Sequence, residues 1–278
     1  MSSVRSATAE AVAAAVLWGS IGVVFKLAVE KGADPRWLIL GRPLLASVPS
    51  LVCVAAGCGG PSGWSLVVGL LGLAPLYASY FLAVERVGAA VASLLLYTAP
   101  LWVAAASGPL LGERPGRRVA AASVLGFLGA ALIVLPGLGG RVDPLGAVLG
   151  LASGASYASY MVLARLAASR GAGVAEVSLH SLPFAALGVA AVARPHGFPG
   201  AVGLLAALYL AAAGTLVPYA LSARALSRLP AARVAVISLV EPVTAVALAW
   251  LLLGEELRPL QLVGAALVLS SSVAAALG

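Results

Sequence analysis

The sequence predicts an all-α membrane protein with ten transmembrane helices, arranged as two inverted five-helix repeats around a central cavity. Three observations lead to this fold class: an extreme apolar composition, ten apolar runs of spanning length, and motifs that recur in both halves. Of the 278 residues, 62% are hydrophobic and 10% are charged, with a mean hydropathy of +1.06. Soluble domains average about 45–50% apolar and about 25% charged residues. A soluble enzyme, a disordered chain and a nucleic-acid-binding domain are therefore excluded, and the lipid bilayer is the expected solvent.

The basic charge of the chain fits a membrane protein. The net charge of +7 comes from lysines and arginines that stand between apolar runs. In a soluble protein this charge would favour a nucleic-acid partner, but here it fits the excess of positive charge in cytoplasmic loops, and no nucleic-acid partner is expected. Cys53 and Cys58 lie in and just after one apolar run. Two cysteines make neither a disulfide framework nor a metal-ligand cluster.

Ten apolar runs lie between charges, glycines and prolines, and each is close to the roughly 20 residues that cross a bilayer. The first, residues 8–29, is longer than the apolar core of a signal peptide and contains Lys26, so we interpret it as a retained helix. The others are residues 37–56, 64–84, 89–111, 118–135, 144–167, 174–193, 200–222, 231–253 and 259–277. Their length and Ala/Leu-rich composition exclude outer-membrane strands, which alternate over about 10 residues.

The two halves of the chain share motifs. Residues 88–113 contain Ala-Pro and then Leu-Leu-Gly-Glu, and residues 230–255 contain Glu-Pro and then Leu-Leu-Gly-Glu. An offset of 142 places Pro100 on Pro242, Glu113 on Glu255, Tyr77 on Tyr219 and Arg86 on Arg228, and an offset of 139 places Trp18 on Tyr157 and Lys26 on Arg165. The sequence therefore predicts two five-helix domains, residues 1–140 and 141–278.

Five spans per repeat is an odd number, so the second repeat must enter the membrane from the opposite side. The charges agree, because the loop after span 4 carries Arg114, Arg117 and Arg118 whereas its counterpart after span 9 carries only Arg258. With both termini inside, inner segments hold nine of the 17 Lys/Arg and outer segments six. We therefore expect a multi-pass protein of the cell membrane with cytoplasmic N- and C-termini.

Sequence signatures of several membrane enzymes are missing. The chain has no Gly-rich loop ending in Gly-Lys-Ser/Thr and no His-Glu-x-x-His. Asp34 and Asp143 both lie in predicted loops, so no intramembrane aspartyl dyad is available. We expect neither an enzyme nor a cofactor or metal site.

Three ionisable residues lie inside predicted spans away from the ends. Glu241 is the one carboxylate well inside a span, where charge costs about 2.5–3.5 kcal/mol on insertion scales. It is either a proton-coupling or substrate-amine site, or a structural acid that bonds across helices beside Pro242. We interpret Arg42 as reaching toward the outer interface, with an inward carboxylate or phosphate site as the alternative. His180 is interpreted as a buried histidine whose ring nitrogens find hydrogen-bond partners in the core, with a pH-sensitive ligand as the alternative.

Aromatic side chains cluster at matching depths of several spans. Their ring faces and hydroxyls suit an organic solute, whereas packing between helices is the alternative for any single residue. As a set, we expect them to line a central pocket. They are Tyr77 and Tyr80 on span 3, Tyr97 and Trp102 on span 4, Tyr157 and Tyr160 on span 6, and Trp18 on span 1.

Several of these motifs resemble the drug/metabolite transporter superfamily, in its EamA-type branch. Leu17-Trp18-Gly19-Ser20 is similar to the opening motif of that family, and Glu241-Pro242-Val243 with Leu252-Leu253-Gly254-Glu255 is similar to its ninth-span signature. Ala99-Pro100-Leu101 with Leu111-Gly112-Glu113-Arg114 resembles the fourth-span counterpart, and Tyr157-Ala158-Ser159-Tyr160 with Arg165 resembles the start of the second repeat. After Trp-Gly-Ser, relatives often carry a polar residue where this chain has Ile21-Gly22-Val23.

The resemblance implies a basket of ten helices whose spans 1, 3, 4, 6, 8 and 9 surround a cavity, with spans 5 and 10 outside. It also implies alternating access and the export or exchange of small metabolites, often amino acids. The substrate-binding candidates are Trp18, Tyr77, Tyr80, Tyr97, Trp102, Tyr157, Tyr160 and Glu241, with Arg42 and His180 as secondary candidates. We expect a secondary transporter of small organic solutes. The alternatives are a multidrug-type exporter of hydrophobic cations and a passive uniporter or channel.

Overall fold

The structure is a computed structural model that describes residues 2–137, 142–195 and 199–277, and these residues are almost entirely helical, with no strand among them. We label the helical segments in chain order. They are α1 (Ser3–Glu30), α2 (Pro35–Ala55), α3 (63–87), α4 (89–111), α5 (Arg117–Gly137), α6 (Pro144–Ser169), α7 (Val174–Ala190), α8 (Gly200–Arg228), α9 (Ala231–Leu253) and α10 (Pro259–Leu277). The predicted boundary between the repeats, residues 140 and 141, lies outside the described residues.

Eight helical stretches of the described chain are long and apolar enough to cross a membrane, when Gly63–Leu96 is taken as one stretch. Ala99–Leu111 and Val174–Ala190 are shorter apolar helices. The prediction of an all-helical, multi-span membrane protein is confirmed, and the number of ten crossings stays a prediction. Gly88 separates α3 from α4, because its φ of 78° and ψ of 163° are not helical.

Several helices are interrupted within the span, and two interruptions recur in both repeats. In α4 the helix breaks at Tyr97 and Thr98, just before Pro100, and in α9 it breaks at Leu239, just before Pro242. In α3 residues Gly69–Leu73 form a π-helical turn, and in α8 residues Ala212–Leu216 do the same. Such π-turns are frequent at functional sites, because they leave backbone groups and side chains out of helical register.

Glycines permit close helix crossings. A Cβ at Gly19 of α1 would lie 2.6 Å from the Cβ of Thr244 and 2.8 Å from the carbonyl oxygen of Glu241, both on α9. A Cβ at Gly129 of α5 would lie 2.7 Å from the carbonyl oxygen of Gly264 on α10. Small residues at such crossings let helix backbones approach, which is how spanning helices pack in lipid.

The helix ends fall into two groups, joined by ion pairs. At the end where α1 begins, which we call the proximal end, Glu10 pairs with Arg228 at 2.9 Å. At the end where α1 finishes, the distal end, Arg36 pairs with Glu85 at 3.1 Å and Arg86 pairs with Asp143 at 3.0 Å. The hydrogen bond from the Arg86 guanidinium holds the pKa of the Asp143 carboxyl below its usual value.

Candidate functional site

A cavity of about 240 Å³ lies between α1, α2, α3, α4, α6, α8 and α9. It extends from Trp18 toward the distal end. On α1 the lining residues continue to Gly22, and on α4 they begin at Ala89. Gly22 and Ala89 are both exposed, so the cavity is open at this end. The lining residues are Trp18, Gly19, Ile21, Gly22, Arg42, Leu76, Tyr77, Tyr80, Ala89, Ser93, Leu96, Tyr97, Tyr157, Tyr219, Glu241 and Ala245.

Four aromatic rings close the proximal side of the cavity. The ring of Trp18 meets Tyr157 edge to face at 6.0 Å and Tyr219 at 5.6 Å between centroids. Tyr160 lies behind them, stacked on Tyr157 at 6.2 Å and edge to face with Tyr219 at 5.1 Å. Because aromatic pairs are favoured in these geometries, the four rings form a packed layer between the cavity and the proximal end, which we call the aromatic floor.

Arg42 is fixed at the cavity wall by α8. Its Nε donates to the Thr215 hydroxyl and one of its terminal nitrogens donates to the Gly214 carbonyl, both at 2.8 Å. Both acceptors belong to the π-helical turn of α8. The guanidinium carbon also lies 5.3 Å from the centroid of the Tyr77 ring, within cation–π range. Within the described part of the chain these bonds use two of the five guanidinium N–H groups, and the other three are left for an anionic group of a solute.

Glu241 lies in the first turn of the second half of α9, directly after the break at Leu239. A helix N-terminus favours a negative charge, and the Tyr97 hydroxyl donates to the Glu241 carboxylate over a long 3.4 Å. Within the described chain, no ion pair of 4.0 Å or less joins Glu241 to Arg42. The cavity therefore presents a carboxyl group and a guanidinium group that form no direct ion pair with each other.

Tyr77 and Tyr80 complete the α3 wall. Tyr80 shares a hydrogen bond of 2.9 Å with Ser93 across the bend between α3 and α4. The Tyr77 hydroxyl is buried and has no hydrogen-bond partner among the described residues. A hydroxyl left without a partner carries a desolvation cost, so this wall has unused hydrogen-bonding capacity.

Most of the residues singled out from the sequence meet at this cavity. Those that line it are Trp18, Tyr77, Tyr80, Tyr97, Tyr157, Glu241 and Arg42. The interpretation of Arg42 as an interfacial residue is not what the structure shows, because α8 holds its guanidinium at the cavity. Lys26, which the sequence left without a partner, forms an ion pair with Glu255 at 2.6 Å.

Two of the predicted aromatic residues do not line the cavity. Trp102 is 45% exposed on the outer surface of α4, and its indole nitrogen donates to the Thr98 hydroxyl at 3.1 Å. It follows Tyr97 by five residues, which is a rotation of about 140° around a helix, so the two side chains face different directions. Tyr160 is the fully buried member of the aromatic floor, behind the rings that line the cavity, and its hydroxyl contacts Ser178 at 3.5 Å.

Tyr219 and Ser93 are lining residues that sequence reasoning did not propose. For Tyr219 a signal existed, since it coincides with Tyr77 when the repeats are aligned. For Ser93 the sequence carried no comparable signal, because a single serine in an Ala-rich helix is ordinary. Its place at the cavity depends on the bend at Gly88, which brings the first half of α4 back against α3.

His180 does not line the aromatic cavity. It is 2% exposed, its Nδ1 lies 2.8 Å from the Ser50 hydroxyl, and it lines a separate cavity of about 440 Å³ between α2, α7 and α8. Tyr219 lines both cavities. Cys53 and Cys58 also line this second cavity and are bonded to each other. Within the described residues, no group of three or more His, Cys, Asp or Glu could hold a metal ion.

Comparison with known proteins places this architecture among transporters. A sequence profile described as the EamA-like transporter family matches residues 7–135 and 144–277. An uncharacterized transporter of Archaeoglobus fulgidus is 32% identical over 206 residues, covering 72% of this chain and 73% of that protein. A protein of Salmonella typhimurium named a probable amino-acid metabolite efflux pump is 28% identical over 270 residues, covering 92% and 89%. A solved crystal structure superposes with a TM-score of 0.82 at 22% identity, covering 98% and 97% of the two chains, which shows a shared fold.

Proposed function

The chain belongs to the EamA-like transporter family, and from this premise we propose that it exports zwitterionic amino acids or closely related metabolites by alternating access. A single observation supports the substrate class: Arg42 and Glu241 line the same small aromatic cavity. An α-amino acid carries a carboxylate and an ammonium group on one carbon. The free N–H groups of Arg42 would bind the carboxylate, and Glu241 would bind the ammonium group.

The dimensions and the aromatic walls support the same class. A volume of about 240 Å³ is below the range of about 300–1,000 Å³ that drug-sized ligands occupy. The fixed cation of Arg42 also opposes a hydrophobic cation, because like charges repel. Both facts favour a small zwitterion over the substrates of a multidrug exporter. The name of the Salmonella relative agrees with this proposal.

The test compares three ligands with the same isobutyl side chain: L-leucine carries both charged groups, 3-methylbutylamine carries only the ammonium group, and 4-methylpentanoate carries only the carboxylate. Binding of each to the purified protein should favour the amino acid by about tenfold or more, since a hydrogen bond to a charged group contributes about 1.5–3 kcal/mol. Arg42→Gln should reduce the preference for the amino acid over the amine. Glu241→Gln should reduce its preference over the acid. Glu256→Gln, an exposed residue in the loop after α9, is the matched control and should change neither.

Three outcomes would contradict the proposal. Tighter binding of the amine than of the amino acid would indicate an exporter of cations. A lack of accelerated exchange in liposomes preloaded with amino acid would indicate a channel. A Glu241→Gln protein that exchanges amino acid normally but loses all flux driven by a pH gradient would make Glu241 a proton-coupling residue rather than an ammonium ligand.

A further inference from the structure

Two ion pairs connect the repeats, one at each end of the bundle, and they occupy equivalent positions. At the distal end Lys26 of α1 pairs with Glu255, which follows α9, at 2.6 Å. At the proximal end Arg165 of α6 pairs with Glu113, which follows α4, also at 2.6 Å. In the register of the repeats Lys26 coincides with Arg165 and Glu113 with Glu255. The same contact is therefore made twice, between opposite repeats, at opposite ends.

The proximal pair is part of a larger network. Arg165 also donates to the carbonyl of Leu226 at 3.0 Å, and the second carboxylate oxygen of Glu113 accepts the backbone N–H of Ala231 at 3.2 Å. Ala231 is the first residue of α9, so Glu113 and Arg165 together tie α6, α8 and α9 to the end of α4. The side chains of the pair are 20% and 24% exposed. This is the end that the aromatic floor separates from the cavity.

The distal pair lacks those additional bonds. Its side chains are each 49% exposed, and an exposed ion pair contributes little to stability. Ala89, the first residue of α4 and the counterpart of Ala231, makes no hydrogen bond to Glu255 within the described residues. Ala89 is exposed and lines the open cavity, whereas Ala231 has 0% exposure. The distal end thus has the equivalent ion pair and the equivalent helix start, but the described residues show no hydrogen bond between them.

We propose that these two ion pairs are the closures of the solute pathway, and that each closes when its glutamate also binds the first backbone N–H of the neighbouring kinked helix. In the structure Glu113 is closed on Ala231 and the distal end is open. In the opposite state Glu255 closes on Ala89 and Glu113 releases Ala231. Exchange of the two arrangements follows from the inverted repeats, because each repeat can adopt the conformation of the other. This proposal rests on the proposed alternating access, but not on the amino-acid substrate.

The experiment uses Ala89→Cys and Ala231→Cys as matched reporters, each in a protein with Cys53→Ser and Cys58→Ser. The labelling rate with a small water-soluble maleimide is measured on purified protein in nanodiscs, without solute. The reporter at 89 should react fast and the reporter at 231 slowly. Glu113→Gln should raise labelling at 231 and lower it at 89, each by about tenfold, because it removes one partner of a partly buried ion pair. Glu255→Gln should leave 231 protected, and Glu256→Gln should change neither rate.

Opposite changes at the two reporters support the closures. A rise at both positions with Glu113→Gln would show that the pair only holds the fold together, and unchanged rates would show that it closes nothing. If Glu113→Gln does not fold, Glu113→Asp keeps the charge but shortens the reach to Ala231, and it should give the same opposite changes at smaller amplitude. Reciprocal labelling together with no preference for L-leucine would overturn only the proposed substrate.

Discussion

Arg42 shows how a single residue determines the chemistry that the cavity offers. From the sequence it stood in an apolar run, with no partner in the same helix, so a position near the interface was the simplest interpretation. Its partners, Thr215 and Gly214, lie more than 170 residues away and become available through a π-helical turn. A sequence periodicity does not reveal such a turn. Tyr77 and Tyr80 were easier to place, because their spacing of three residues within one helix puts them on a common face, and both line the cavity.

Tyr97 provides a test at this scale. Tyr97→Phe removes the hydroxyl that donates to Glu241 and keeps the ring that packs in the wall. We expect the affinity for L-leucine to fall about three- to tenfold, because a net hydrogen bond contributes about 0.5–1.5 kcal/mol. Tyr160→Phe is the matched control, since its hydroxyl contacts Ser178 behind the aromatic floor, and it should leave the affinity unchanged. Equal affinities in wild type and Tyr97→Phe would mean that this hydroxyl does not orient Glu241.

At the scale of elements, hydropathy predicted where helices run but not how they bend. The run at 118–135 corresponds closely to α5, and the run at 231–253 has the bounds of α9. The predicted run at 200–222 ends earlier than α8, which continues to Arg228, because its last residues pack against α1 although several are polar. The bends at Gly88, Tyr97 and Leu239 are changes of backbone conformation, and a window of local hydrophobicity does not report backbone angles.

The crossing of α5 and α10 can be tested separately from the cavity. Gly129→Leu would push a side chain into the Gly264 backbone, where even a Cβ lies 2.7 Å from the carbonyl oxygen. Overpacking of this kind costs about 1–3 kcal/mol, so the melting temperature in detergent should fall. The affinity of the remaining folded protein for L-leucine should be unchanged, because neither helix lines the cavity.

Gly116→Ala is the control for that experiment. A Cβ there meets nothing within 4 Å and the backbone φ of −61° suits any residue, so the melting temperature should not change. A lower affinity in folded Gly129→Leu would show that α5 and α10 move with the cavity walls during transport. The melting temperature and the affinity together therefore distinguish a scaffold from a moving element.

For the whole molecule, the arrangement of charges predicts orientation. The proximal end carries Arg5, the arginines that follow α4 and those near the end of α8, and it is the more basic end by the nine-to-six count. The excess of Lys and Arg in cytoplasmic loops therefore favours a cytoplasmic proximal end. In that orientation the open cavity faces outward, as an exporter would after releasing its solute. Labelling at Gly140 or Gly278 would also report the orientation. Both residues lie outside the described part of the chain.

Ser3 and Val142 offer described positions at opposite ends of the bundle, and both are exposed. In cells producing a Cys53→Ser, Cys58→Ser protein, an impermeant maleimide added outside should label Val142→Cys and miss Ser3→Cys until the membrane is permeabilised. The reverse pattern would overturn the orientation, because it would place the less basic end in the cytoplasm. Labelling of both from outside would mean that the helices between them cross the membrane an even number of times, which contradicts five crossings in the first repeat. Because an odd number of crossings inverts the second repeat, this measurement also tests whether the equivalent ion pairs at Glu113 and Glu255 face opposite sides of the membrane.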